Sequence, residues 1–418
     1  MRVTFGLIAV CLMTGSLSAS EADRIRFARI RSHMSDNLDR LPNFTCTETI
    51  ERSERAARSR RFQLLDTLRL EVAMVNGKEL FAWPGSGKFD DREMSELIGG
   101  GTSGNGNFGI HARAIFLGGS ATFEYLGEVE REEGRVYRYS YHVPTMWSGY
   151  MIRSGPAKGI AGYHGYFEAD TETLDVLALD VMADEEIPPH LQIMAAVTRM
   201  RYRRMKIGEG EFLLPESSEI SLTGYTGAEN RNRVHLSGCK QYGTESTIRF
   251  DDPPATEVAP AAAAAHSTAA LTAASMGELP VGLAFDAELL TRLQFPGAAV
   301  GDLVEARLAS DAKLKGAVMI PKGTLVRGRL LRIGRPPFAT RIETAAILIQ
   351  LHEIELPGGR AEIKGVAEAV SSIAVGGMRY SVDDNGVIYI QSGTRRELTR
   401  GSRIRWRLKE KTENEVAR

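Results

Sequence analysis

Three groupings in this 418-residue chain have residue types and spacings that would suit chemistry. In "LIGGGTSGNGNFGIHARAIF", Gly104, Gly106 and Gly109 fit a G-x-G-x-x-G spacing. That spacing binds a dinucleotide when it joins a strand to a helix in a parallel βαβ unit, where the helix N-terminus faces the pyrophosphate. The strands expected around it are antiparallel, so it reads as a glycine-rich surface loop and a candidate lid. "SDAK" gives Ser310 and Lys313 the S-x-x-K spacing of penicillin-recognising serine enzymes, but the companion motifs are missing and Ser310 falls among strands. In "YHGYFEAD", His164, Tyr166, Glu168 and Asp170 would share one face of a strand, as a metal or acid–base set would. No second histidine is fixed beside them, and a solvated strand face gives the same pattern. There is no G-x-S-x-G, and the 8 histidines are too scattered to assemble a triad. The sequence is therefore read as that of a non-enzyme, without catalytic residues, metal or cofactor.

Two other patterns suit binding. In "RVYRYSYHV", Tyr137, Tyr139 and Tyr141 share a face, and Phe123 and Tyr125 alternate likewise on the strand before it. A tyrosine has an apolar body and a polar tip. Such a ladder fits a core, and it also fits a half-wet groove for an apolar ligand on the concave face of a curved sheet. In "RIRWRL", Arg403, Arg405 and Arg407 alternate with Ile404, Trp406 and Leu408. On an edge strand the arginines would block sheet-to-sheet aggregation; as a basic patch they would meet an envelope partner.

The elements that must position these residues are mostly strands. Phe27, Ile30, Met34, Leu38 and Leu41 recur at helical spacing, predicting an amphipathic helix over 21–41 that Pro42 ends. Hairpins follow at Asn76-Gly77, at Glu132–Arg135, in "DTET" and at Glu209-Gly210. Residues 253–280 are rich in Pro, Ala, Ser and Thr and read as a linker. Short strands resume over 281–408, and 409–418 reads as a frayed tail. The expected fold is mainly β with some α: a curved antiparallel sheet on an N-terminal helix over 21–252, a flexible linker, then a second unit of short strands.

"MRVTFGLIAVCLMTGSLSAS" has a basic start, an apolar run and small residues near Ser20, the pattern of a secretory signal peptide over 1–20. No later run is long and apolar enough to span a bilayer as a helix. The net charge of −1 gives no bulk electrostatic case for nucleic acid or acidic membranes, and either partner would need a local patch. Export favours disulfides, and beyond the leader only Cys46 and Cys239 are present. A bond between them is expected, with free buried thiols or intermolecular pairing as the alternatives. Closing so long a loop would stabilise by about 5 kcal/mol on chain-entropy grounds.

With these elements placed, two resemblances emerge. The leading helix, "RFQLLDTLRLEVAMVNGKELFAW" and "GYFEADTETLDVLALD" resemble exported proteins with a lipoprotein-carrier (Lol-type) fold, over roughly 21–250. "LPNFTC", "LRLEVA" and "FLLPESSE" also resemble a group of exported bacterial proteins with no implied activity. "GDLVEARLASDAKLKGAVMIPKGTLVRGRLLRI" and "HEIELPGGRAEIKG" are similar to the barrel domain of conjugation-type outer-channel proteins (TrbI), over roughly 280–370. The carrier resemblance implies a periplasmic or secreted protein that binds an apolar or lipid-linked ligand. The barrel resemblance implies that the second unit, over 281–408, is a small β-barrel. It also implies the alternative function, a structural or assembly role in the envelope with the barrel docking to a protein partner.

Overall fold

The structure is a computed structural model that describes residues 21–86, 89, 109–132, 134–183, 187–242, 279–335, 344–356, 359–371, 378–392 and 395–410. The leader, Gly104 and Gly106 of the glycine-rich loop, almost all of the linker and the end of the tail lie outside the described residues.

A single helix, α1 (Glu21–Arg40), precedes the first strand. The strands β1 (Phe44–Arg55), β2 (Gln63–Val75), β3 (Lys78–Ala82), β4 (Thr122–Arg131) and β5 (Gly134–Val143) follow, with a short helical segment, Ile110–Ala112 running into a π turn Arg113–Leu117, ahead of β4. A side hairpin of β6 (Met151–Ser154) and β7 (Ala157–Ile160) leads to β8 (Tyr163–Asp170), β9 (Val176–Ala183), β10 (Ile193–Ile207), β11 (Gly210–Gly224) and β12 (Glu229–Gln241). Ten of these strands form one antiparallel sheet in the order β3-β2-β1-β12-β11-β10-β9-β8-β5-β4. Tight turns impose this meander. Asn76 and Gly77 take φ of 51° and 78° between β2 and β3, the mirror-image turn that asparagine and glycine adopt cheaply. Between β10 and β11 the turn is Gly208-Glu209, one residue earlier than the sequence suggested, because Ile207 pairs with Gly210 and Gly208 supplies the positive φ.

The sheet does not close in sequence order: β1 pairs with β2 on one side and with β12 on the other. Cys46 and Cys239 lie across that second pairing, joined by a disulfide over a separation of 193 residues. The pairing carries a bulge there, since Thr45 opposes Lys240 while Thr47 opposes Ser237, and Gly238 takes the left-handed φ of 61°.

The second unit is built from β13 (Ala284–Leu289), β14 (Leu293–Phe295), β15 (Leu303–Leu308), β16 (Ala312–Leu314), β17 (Ala317–Ile320), β18 (Leu325–Gly334), β19 (Thr344–Leu356) and β20 (Gly359–Ser371). It is completed by β21 (Arg379–Val382), β22 (Ile388–Gln391), β23 (Arg396–Leu398) and β24 (Arg403–Leu408). Six strands, β18-β15-β13-β24-β20-β19, close on themselves through a β18–β19 pairing. Phe285, Val304, Val326, Ile349, Ile404 and Trp406 fill the interior, as a barrel of this size requires.

The barrel docks on the sheet through backbone. β3 pairs only with 71–75 of β2, which leaves the first half of that edge bare, and bare edges invite pairing. The segment at Val300 fills the gap: Val300 N–H donates to Thr67 O (2.8 Å) and Arg69 N–H donates to Val300 O (2.8 Å). Arg335 N–H reaches Leu65 O at 3.2 Å, and Arg69 forms an ion pair with Asp302. Two glycines permit the approach, since a Cβ on Gly301 would stand 2.2 Å from Arg69 O and one on Gly334 2.2 Å from Leu65 O. Buried residues of β1, β2 and β12 then merge with the barrel interior into one apolar cluster.

Gly334→Ala should therefore push the two units apart at a cost of about 1–3 kcal/mol, and calorimetry should resolve two melting transitions in place of one. An unchanged single transition would refute the docking.

Candidate functional site

Because strand side chains alternate, the registers define a single inner face. One row across it runs Tyr125–Tyr139–Phe167–Leu179–Met200, from β4 to β10. The next runs Phe123–Tyr141–Gly165–Val181. The rings touch: Tyr139 stacks on Phe167 at 5.0 Å with an interplanar angle of 3°, and Tyr125 lies 5.1 Å from Tyr139. Gly165 is required here, since a Cβ would stand 1.9 Å from Asp180 O and 2.8 Å from the Tyr141 hydroxyl. Its absence lets that hydroxyl donate to Asp180 O at 2.7 Å.

The tyrosine ladder is divided by what covers it. Tyr139 and Tyr141 are 1% and 3% exposed, whereas Phe123, Tyr125 and Tyr137 are half-buried at the β4 edge. The cover is α1, whose Ile30, Met34 and Leu38 face the sheet, together with Ile115 and Phe116 of the π turn. Phe27 closes on Phe123 at 4.3 Å. At the preceding position, nearer the β4 edge, the Arg26 guanidinium lies 4.7 Å from the Tyr125 ring and 4.5 Å from the Tyr137 ring, held by Asp23 at 2.7 Å. Burial raises the pKa of the Tyr139 hydroxyl, and the neighbouring Arg26 partly offsets this.

The rest of α1 is pinned by polar contacts. The Asn37 side chain donates to Leu213 O (2.9 Å) and accepts from Leu213 N–H (2.8 Å), replacing a strand partner where β11 has parted from β12. Arg31 donates to Phe116 O and Arg113 to Leu38 O, each at 2.7 Å. Asp175, nearly buried, accepts two 2.7 Å hydrogen bonds from Arg204 and lies 2.7 Å from His33 Nε2. The alternating pattern of the tyrosines gave their face but not this roof, and Arg26 carried no signal beyond its place on the helix.

Further along the inner face stands a carboxyl that sequence reasoning missed. Glu48 shares the inward positions of β1 with Phe44, Cys46 and Ile50, and is 0% exposed between Leu70 and Leu236. Neither carboxyl oxygen has a hydrogen-bond partner. Burial first, and the charge of Glu79 second, push its pKa up to about 8. The signal was present: an acid in an otherwise apolar alternation.

Other sequence candidates are structural. His164, Tyr166, Glu168 and Asp170 do share the outer face of β8, where Glu168 pairs with Arg131 and Arg138 lies 4.8 Å over Tyr166. Asp170 caps the "DTET" turn, accepting from the backbone of Glu172 and Thr173. No metal-binding cluster occurs among the described residues. The edge-strand reading of Arg403, Arg405 and Arg407 is corrected: β24 lies between β13 and β20. The arginines stand on the barrel's outer wall beside acids of those neighbours. Arg403 pairs with Glu288 at 2.7 Å, Arg407 pairs with Glu368, and Arg405 is in register with Asp286. A cleft of 560 Å³ opens on the barrel between Arg292, Pro296 and Leu303; Arg292 is engaged by Glu397 and Asp302 by Arg69.

No family model matches the chain, and neither does any curated protein. Among solved structures it is similar to a protein described as an outer membrane lipoprotein-sorting domain from Vibrio parahaemolyticus, at 10% identity and TM-score 0.30, covering 53% of this chain and 94% of that one. It is also similar to a DUF1329 family protein from Desulfovibrio piger (10%, TM-score 0.29, 53% and 94%). A LolA superfamily protein from Nitrosomonas europaea gives 11%, TM-score 0.29, 53% and 96%. At these scores the likenesses carry no functional argument.

Glu48 yields a pH prediction. Its folded pKa of about 8 lies above the ordinary 4.5, so between those values the folded state holds a proton that the unfolded state has lost. Stability therefore falls as pH rises through that window, by about 3 kcal/mol at pH 7. Glu48→Leu should raise the denaturation midpoint more at pH 8 than at pH 5; equal gains at both would show the carboxyl is not buried neutral.

Proposed function

We propose that the protein is a non-enzymatic binding or carrier protein of the bacterial envelope, holding an apolar or lipid-linked ligand against the aromatic inner face beside α1. One observation carries this reading: the most aromatic half of the face is roofed by α1 and the π turn rather than a second sheet, with rings left half-exposed at its rim. The N-terminal end of an amphipathic helix lying on an aromatic floor can be lifted without breaking a hydrogen-bond ladder. The pinned half of α1 (Asn37, His33) would serve as the hinge side and the half around Arg26 as the opening. A disulfide suits the oxidising compartment that such a role requires. No helix among the described residues is long and apolar enough to cross a membrane.

The alternative, a structural or assembly role through the barrel, has less support. The barrel's docking edge is engaged by β2 of its own chain, and its arginine row is matched by acids.

The test is uptake of a fluorescent long-chain acyl probe by delipidated protein, with native mass spectrometry for lipid that co-purifies. The expected outcome is stoichiometric uptake, weakened at least tenfold by Tyr139→Ala. Arg26→Ala, which removes cation–π contacts of about 0.5–2 kcal/mol, should speed entry several-fold. No uptake by either the native protein or the Arg26 variant overturns the proposal.

A further inference from the structure

The turns at one end of the ten-stranded sheet touch in succession and make a continuous rim. Gly159 of the β6–β7 hairpin lies against Pro188 and Leu191, and His190 Nε2 is 3.0 Å from Lys158 O. Next to them Tyr225 N–H donates to Gln192 O at 3.3 Å. Gly227, in the β11–β12 turn, lies against Ala57 in the β1–β2 turn.

Six large apolar side chains stand exposed along this rim: Met146, Trp147, Met151, Ile160, Met194 and Tyr225. Met146 and Trp147, at 78% and 64%, are the most exposed large apolar residues among those described. Such a cluster on the surface of a folded unit marks an interaction site. Its geometry is fixed rather than loose. Trp147 sits in a 3₁₀ turn, and Tyr150 just beyond it packs on Tyr163 at 5.7 Å and on His111 at 5.5 Å. Met151 and Ile160 are cross-strand partners, and the next outward pair on the same hairpin is Arg153 and Lys158.

The charge along the rim identifies what it faces. The β1–β2 turn exposes Arg58, Arg60 and Arg61, while Arg55 beside them is already paired with Glu229 at 2.5 Å. The acidic residues 184–186 fall outside the described residues. A tryptophan and methionines standing out beside lysine and arginine match a bilayer interface, where aromatic rings sit at headgroup level and cations meet phosphate. Apolar insertion and cationic attraction are each weak alone and sufficient together.

We propose that this rim docks on a bilayer surface bearing anionic phospholipid headgroups, with Met146, Trp147, Met151 and Ile160 entering the interface and Arg58, Arg60 and Arg61 on the phosphates. This docking is independent of whether a ligand sits beneath α1.

The experiment is co-sedimentation of the purified protein with phosphatidylglycerol/phosphatidylcholine vesicles and with phosphatidylcholine vesicles alone, at low and high salt. Quenching of tryptophan fluorescence by brominated lipid is read in parallel. Of the three tryptophans, Trp406 is buried in the barrel and Trp83 is half-buried against Gly301, so the quenching that is lost with Trp147→Ser is the part that Trp147 supplies. The expected result is salt-sensitive binding to the anionic vesicles. Binding should weaken about tenfold in Met146→Ser/Trp147→Ser, and about tenfold in Arg58→Ser/Arg60→Ser/Arg61→Ser, with acyl-probe uptake and thermal melting unchanged. If the first variant does not fold, the arginine variant decides. Three results would each overturn the docking: no partition of folded protein into anionic vesicles, partition unaffected by the variants, or a photo-crosslinker in place of Trp147 that labels protein alone in intact cells.

Discussion

One sheet with a single apolar face too broad for one cover is the constraint that organises this molecule. Nine of the ten strands place a continuous set of inward side chains from Tyr125 on β4 to Leu70 on β2. Leaving such a face in water would cost about 25 cal/mol for every Å² of apolar surface. Two unrelated pieces share the task. α1 and the π turn cover the β4–β10 half, and the β1, β2 and β12 half joins the interior of the barrel unit.

Both covers are fixed by the sheet's own unsatisfied backbone. Where β12 parts from β11, the Asn37 amide takes the place of a missing strand at Leu213; where β3 stops short, Val300 and Arg335 do so along β2. Buried peptide groups demand partners, and here that demand decides where the helix and the barrel attach. Among the side chains the demand is not always met: Glu48 is an acid kept without a hydrogen-bond partner beneath this second cover. A neutral carboxyl is the form that such a place tolerates.

Much of this could be read in the amino acids. The spacing of Ile30, Met34 and Leu38 gave α1 to within a residue of its end, Asn76-Gly77 gave a hairpin, and the two cysteines beyond the expected leader gave their bond. Short strands and frequent turns gave a second β-rich unit, and the likeness to channel-protein barrels, rather than the strand pattern, implied that it closes. Alternation placed the tyrosines on one face but says nothing of what lies over a face, so a groove and a core looked alike. It is equally silent on neighbours: "RIRWRL" reads the same at an edge or inside a barrel, and β24 has a partner on each side. The seam between the units was hidden because it is made of peptide N–H and C=O groups, which every residue carries. Only Gly301 and Gly334, where a side chain would collide, hint at it.

The pairing of β1 with β12 has a bearing on how the chain is made. A strand that begins at Phe44 finds one of its two neighbours only at Glu229–Gln241. As the polypeptide emerges N-terminus first, the β1–β2–β3 meander, complete at Ala82, waits with one long margin open until the chain has reached Glu229–Gln241, and contacts between such distant segments form slowly. Assembly of the sheet is thus gated by completion of its last strand, and the Cys46–Cys239 disulfide, formed when an external oxidant takes two electrons from the paired thiols, can only record that arrival.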